Sequence, residues 1–381
     1  MTWLLLSFAV VFFIILWYCN GLLSGIVASV KSDQSHSHNA WAGRYYLLKI
    51  GLILISAALI SLIGYQLWII QQAKNMDYQA IHELIKKSYD TAKVWQAPDL
   101  QYVEIEKDKE LILYGRQLIS NTSDYLGPKG IVRHMSNGMN CQNCHLDAGT
   151  KPFGNNYSAV LATYPKFRAR SGTDETITKR INDCIQRSLN GDSLQPQSKE
   201  MKAITAYIQW LGQAVPKNKM PIGVGLYKLK PLARAADPMK GQFTYASKCM
   251  TCHGPDGQGR PKPENKIESY PPLWGDHSYN EAAGLFRLSA FAGYVKANMP
   301  FGATADNPQL TDEEAWDLAA FVNSKPRPKH KFLKVDWPVI AKKPFDHPFG
   351  PYADTFSEQQ HKLGPFQPIL DVQNQNTNKI K

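Results

Sequence analysis

Cys141-Gln142-Asn143-Cys144-His145 and Cys249-Met250-Thr251-Cys252-His253 are two copies of one pattern, and they decide the fold. Cys-x-x-Cys-His is the attachment signature of c-type haem. Its two sulfurs form thioethers with the haem vinyl groups, and the adjacent His takes the proximal side of the iron. The spacing sets both sulfurs and the imidazole on one helical turn. Zinc is the competing reading, but a Cys pair needs a second ligand pair for tetrahedral closure. Here a His follows each pair at once, and each copy opens its own helical unit. Two covalently bound haem c groups are therefore expected, on Cys141, Cys144 and His145, and on Cys249, Cys252 and His253. They use four of the six Cys and leave Cys19 and Cys184, which is no disulfide framework.

Haem c is attached outside the cytoplasmic membrane in bacteria, so these domains are expected on the periplasmic side. The chain of 381 residues has room for two domains plus anchors. A net charge of +11 favours small anions or acidic redox partners. Nucleic acid is not an expected partner for an exported haem protein. Residues 1–30 and 50–70 are uncharged runs, each long enough to span a bilayer. The first lacks the positive start of a cleaved leader, so both read as retained transmembrane helices. Lys31 and Arg44 between them make 31–49 a cytoplasmic loop, which puts both termini on the periplasmic side of a bacterial inner membrane. Cys19, behind bulky Tyr18, reads as an apolar residue of the first span.

Residues 71–109 read as a stalk. Each haem unit then repeats one plan: a helix, the attachment motif, loops, a distal ligand and a closing helix. The first spans 110–213 and the second 238–325. Residues 214–237, with Pro216, Pro221 and Pro231 among lysines, form the linker, and 326–381 an extension without a domain of its own. Both closing helices carry apolar residues at three- and four-residue spacing. Thr311 and Glu314 make a capping box for the second. The fold class is all-α: two cytochrome c-like domains in tandem behind two transmembrane helices.

The distal ligands set the chemistry. Met299, in Asn298-Met299-Pro300, is the candidate in the second unit, with Met220 as competing donor. A thioether there raises the reduction potential and suits electron transfer. The first unit has no similarly placed Met-Pro after His145, but it has Cys184. Arg180, Cys184 and Ser188 are four apart on a predicted helix over 175–189 and share one ridge. A buried, inert Cys is the plain alternative. A nearby Arg, however, lowers a thiol pKa and makes thiolate available. Arg168 and Arg170, on the preceding loop, could add to an anion site.

The stretch Asn137-Gly138-Met139-Asn140-Cys141-Gln142-Asn143-Cys144-His145-Leu146-Asp147-Ala148-Gly149-Thr150 resembles the dihaem thiosulfate dehydrogenases, which form tetrathionate. So do Arg180-Ile181-Asn182-Asp183-Cys184-Ile185-Gln186-Arg187-Ser188-Leu189-Asn190-Gly191 and Pro271-Pro272-Leu273-Trp274-Gly275. The resemblance runs in order over residues 111–328, and the Cys184 segment is its most specific part. It implies His145 and Cys184 as iron ligands of a catalytic haem, and His253 and Met299 as those of an electron-transfer haem. It also places Arg170, Arg180 and Ser188 at substrate-site positions. The N-terminal helices depart from the soluble members and leave the electron partner open between a cytochrome and a quinone-linked protein.

The expected reaction joins two thiosulfates through a covalent adduct on Cys184, and runs reversibly, so that tetrathionate reduction uses the same steps. Two other readings compete. A non-catalytic membrane dihaem cytochrome, relaying electrons to or within a terminal oxidase, has no use for a thiol ligand or an Arg-lined pocket. A sulfur transferase would pass sulfur from Cys184 to another protein and would release no free tetrathionate.

Overall fold

The computed structural model describes residues 38–87, 93–260, 270–330 and 335–379, with isolated positions before residue 38. It divides into two compact units, Met1–Ala80 and Ile81–Lys381. Helix α1 (His38–Lys87) starts in the first. Within it Lys49–Gln72 has a mean hydropathy of 2.1 and buries nothing. At 1.5 Å per residue these 24 residues reach about 36 Å, enough for the hydrocarbon core. Its Ser56 and Ser61 hydroxyls donate to the Leu52 and Ala57 carbonyls at 2.7 and 2.9 Å. Such back-bonding satisfies these two hydroxyls within the apolar helix. This is one helix long and apolar enough to cross a membrane. The other expected span, residues 1–30, lies outside the described residues apart from isolated positions.

In the second compact unit each haem motif sits between an opening and a closing helix. The first haem unit has α2 (Lys109–Ser120), α3 (Thr122–Leu126), α4 (Leu146–Gly149) and α5 (Val160–Thr163). A hairpin of β1 (Lys166–Arg168) and β2 (Thr173–Glu175) follows, then α6 (Ile177–Ser188) and the closing helix α7 (Lys199–Leu211). The second has α8 (Pro238–Lys248), α9 (Met250–His253), α10 (Leu288–Asn298) and the closing helix α11 (Asp312–Asn323). Helices α12 (Glu358–Leu363) and α13 (Gln367–Lys379) end the chain.

Local sequence sets the helix starts. Ser198 and Thr311 accept the backbone N–H of Met201 and Glu314, and Glu314 returns the bond to Thr311. Asp237 caps α8 ahead of Pro238 at the first turn. The two haem units share one packing device. A Cβ on Gly115 of α2 would overlap the Ala203 carbonyl of α7, and one on Gly241 of α8 would overlap the Asp317 carbonyl of α11. Opening and closing helices thus cross backbone against backbone, which only glycine permits at those points. Leu118, Ile119, Met201, Tyr207 and Leu211 are buried at the first crossing, and Trp316, Leu318 and Val322 in the second haem unit.

The helical expectation holds, with one addition. The loop carrying Arg168 is an antiparallel hairpin, Lys166 opposite Glu175 and Arg168 opposite Thr173. The haem units also grip each other. The Tyr294 hydroxyl donates to the Asn143 carbonyl at 2.7 Å, and Asn280 donates to Gln186 and Arg187 carbonyls at 2.9 and 3.1 Å. The C-terminal extension adds to the core: it buries Phe366 and Ile369, and the Phe366 ring packs 5.4 Å from Trp316.

Candidate active site in the first haem unit

The side chains of Cys141, Cys144, His145, Arg180, Cys184 and Ser188 line one cavity of about 320 Å³. The arrangement starts with Thr176, whose hydroxyl accepts the Lys179 N–H and sets the first turn of α6. From that start, residues 180, 184 and 188 fall on one face of the helix. The attachment motif arrives from the other side of the sequence. Asn140 and Asn143 cap each other around a 3-10 turn at Cys141–Asn143, and the Cys141 N–H donates to the Thr122 hydroxyl at 2.9 Å.

His145 is fixed in one tautomer. Its Nδ1 lies 2.6 Å from the Asn155 carbonyl oxygen, which can only accept, so Nδ1 carries the hydrogen. Nε2 is left as the metal-facing nitrogen, the usual orientation of a ligating His. The ring also stacks on Tyr157, centroids 4.5 Å apart. Asn155 and Tyr157 have no signature in the sequence; only the folding of 146–157 back over the motif brings them there.

The three cysteines of the cavity differ in charge. Burial pushes Cys141 up to about 11 and Cys144 up to about 12, the bias of a sulfur that stays uncharged. Burial would also raise Cys184. The Arg180 guanidinium, and after it the adjacent His145 ring, outweigh it and bring the thiol down to about 7. The Cys184 thiolate in turn holds the Arg180 pKa up, against burial. A buried thiolate beside a fixed cation is both a nucleophile and a soft metal donor.

Arg170 is not brought into the cavity. Its Nη1 donates to the Ala282 carbonyl at 2.9 Å, and its Nε lies 3.6 Å from Asp336. Its guanidinium sits 5.6 Å from the Trp337 ring centroid, and burial lowers its pKa to about 10. Asp336 also binds Arg187 of α6 at 2.7 Å, and Arg187 binds Asp183 at 2.9 Å. The Trp337 N–H donates to the Arg170 carbonyl at 2.6 Å. A tail segment thereby clamps the helix that carries Cys184. No local pattern announces this, because Asp336 and Arg187 are 149 residues apart. Met220, weighed as a donor to the second haem, lines the first cavity instead, as do Lys166 and Arg168 from β1.

In the second haem unit the His253 Nδ1 lies 3.1 Å from the Pro271 carbonyl oxygen, again leaving Nε2 for a metal. Met299 follows α10 directly and packs, half-buried, on the core. Asn298 beside it donates to the Tyr294 and Phe153 carbonyls at 2.9 and 3.0 Å. Burial raises Cys249 to about 11. No thiol stands in for Cys184 there; the one described Cys outside the two motifs is Cys184 itself.

The donor sets fit haem c. Each motif pairs two sulfurs with an imidazole whose far nitrogen is already engaged, and the first faces a mostly apolar cavity of the size of a cofactor site. Residues 132–216 match the SoxA/TsdA cytochrome c domain, and residues 238–325 match the cytochrome c domain. Two cytochrome c domains imply haem c binding. The chain is similar to the thiosulfate dehydrogenase of Allochromatium vinosum, at 37% identity over 58% of this chain and 79% of that protein. It is 33% identical to that of Stutzerimonas stutzeri, over 58% of this chain and 68% of the other. Its structure resembles the thiosulfate dehydrogenase (TsdBA) of Marichromatium purpuratum, with a TM-score of 0.57 at 30% identity, over 63% of this chain and 51% of that one.

Proposed function

The chain belongs to the thiosulfate dehydrogenase family, and from that premise we propose that it oxidises two thiosulfates to tetrathionate at the Cys184 cavity. The observation that carries this reading is the pairing of Cys184 with Arg180 and His145 in the cavity that holds the first attachment motif. His145 and Cys184 would hold the first haem iron, and His253 and Met299 the second, with Cys141, Cys144, Cys249 and Cys252 as the thioether sulfurs. When bound, haem c supplies each unit with a one-electron acceptor, two for the two electrons the reaction releases.

The chain's own residues do the rest. Arg180 and Ser188, one turn either side of Cys184, receive the first thiosulfate dianion. The Cys184 thiolate joins its outer sulfur, forming one S–S bond with loss of two electrons and leaving a Cys–S–S–sulfonate adduct. A second thiosulfate attacks the outer sulfur of that adduct. The new S–S bond completes tetrathionate, and the Cys184 thiolate departs with its electron pair. The second step is redox-neutral, and reversing both steps reduces tetrathionate. Arg170, tied to Asp336, bears on the reaction through its field and through the clamp on α6.

The apolar span Lys49–Gln72 supports anchoring in the bacterial inner membrane, with the haem units in the periplasm and electrons passing to a cytochrome or a quinone-linked protein. Anaerobic spectra of the holoprotein test the whole reading. Thiosulfate should reduce the haems with tetrathionate released, and tetrathionate should reoxidise them. If Cys184→Gly retains both, or if neither ion changes the spectrum, the chain is a relay cytochrome.

A further inference from the structure

The cavity holds a cation that the reaction as described leaves idle. On β1, Lys166 and Arg168 are two apart and so face one side of the strand. Both line the cavity, while Phe167 between them is exposed. The other cations are engaged. Arg168 pairs with Glu175 at 3.7 Å, and Arg180 faces the Cys184 thiolate. Glu175 is itself taken by Arg168, by Lys179 at 3.1 Å and by the Ser171 hydroxyl at 2.7 Å. Lys166 pairs with no carboxylate among the described residues; its ammonium rests 4.8 Å from the Tyr164 ring centroid. The charged groups acting on it are Arg168, Arg180 and Glu175. Among the described residues, three basic side chains and no acidic one thus line the cavity.

We propose that Lys166 forms the subsite for the second thiosulfate, the ion that attacks the Cys184 adduct. The inference rests on the two-thiosulfate reading above. After the first bond forms, the sulfonate of the adduct occupies Arg180 and Ser188. The incoming dianion then meets a fixed negative charge. Like charges in contact inside a protein repel far more strongly than in water, so the approach needs its own cation. Arg168, shared with Glu175, offers part of one; Lys166 offers a whole one. Its Nζ neutralises the attacking ion while the S–S bond of tetrathionate forms and the Cys184–sulfur bond breaks.

The two steps can be read separately in the holoprotein. Mixing the oxidised form with one thiosulfate per chain reports the first step as haem reduction. The rate of tetrathionate release against added thiosulfate reports the second, and mass spectrometry reports adduct on Cys184. Lys166→Gln should leave the first step within about twofold and raise the thiosulfate needed for half-maximal release by about tenfold, with adduct accumulating. Lys166→Arg should restore release. An unchanged release curve in Lys166→Gln overturns the proposal. So does an equal slowing of the first step, or a shift in the absorption spectrum or midpoint potential of the first haem, which would assign Lys166 to a haem carboxylate. If wild-type protein forms no Cys184 adduct with thiosulfate, the underlying two-step reading fails instead, whatever Lys166 does.

Discussion

The two haem units share a frame and differ in what is hung on it. Gly115 against Ala203 and Gly241 against Asp317 are the same crossing made twice. His145 on Asn155 and His253 on Pro271 are the same tautomer lock. Between attachment motif and closing helix they part. The first unit inserts a hairpin and α6, which deliver Lys166, Arg168, Arg180 and Cys184 to one cavity. The second runs through α10 to Met299, and among its described residues there is no thiol outside the attachment motif. A frame suffices to hold and orient a cofactor. Chemistry needs a charged, nucleophilic segment added to it.

The sharpest way to break the comparison is to make the first unit resemble the second. Cys184→Ala should lower tetrathionate formation by about 10³-fold or more, while the second haem keeps its absorption spectrum. A residual rate near wild type would mean that the insert is not where the units differ. The clamp comes next. Asp336→Ala leaves buried Arg170 without its carboxylate and Arg187 with Asp183 alone, at a cost of about 3 kcal/mol. Hydrogen exchange should rise in α6 and the β1–β2 hairpin, and stay low in α11. Exchange rising equally in both units would show that the tail braces the whole molecule.

Arg180→Met follows, with a loss of about 10²-fold in the first step. Thiolate is the reactive form, so that step should speed up as pH rises through about 7 and level off above. Without Arg180, the strongest of the influences that lower the thiol, the rising limb should move to higher pH. A limb that stays in place would assign it to another group. The smallest effects should be the shared ones. Gly115→Ala and Gly241→Ala should each cost about 1–3 kcal/mol, read by denaturant unfolding, because each forces two helix backbones apart. A large cost in one and none in the other would dissolve the claim of a common frame.

What the sequence made legible was local. The two attachment motifs, the capping box of Thr311 and Glu314, and the ridge of Arg180, Cys184 and Ser188 all depend on spacings of a few residues, which a helix converts directly into shared faces. Strands of three residues leave no periodicity to read, so the hairpin carrying Lys166 and Arg168 passed as a loop. Arg170 looked as available as Arg180, since nothing near it in sequence hints at Asp336. Met220 sits before a Pro, as Met299 does, and only the path of the linker directs it to the first cavity. Long-range placement decides which members of an arginine-rich segment meet the cavity, and composition cannot.

The clamp also has a meaning along the chain. Asp336 lies 149 residues after Arg187 and after both attachment motifs. A chain cut just before it would keep every residue of the two motifs and every residue lining the first cavity, and would lose the brace on α6. The parts list of the site and the restraint on it therefore occupy separate stretches of sequence, and either can be altered without touching the other.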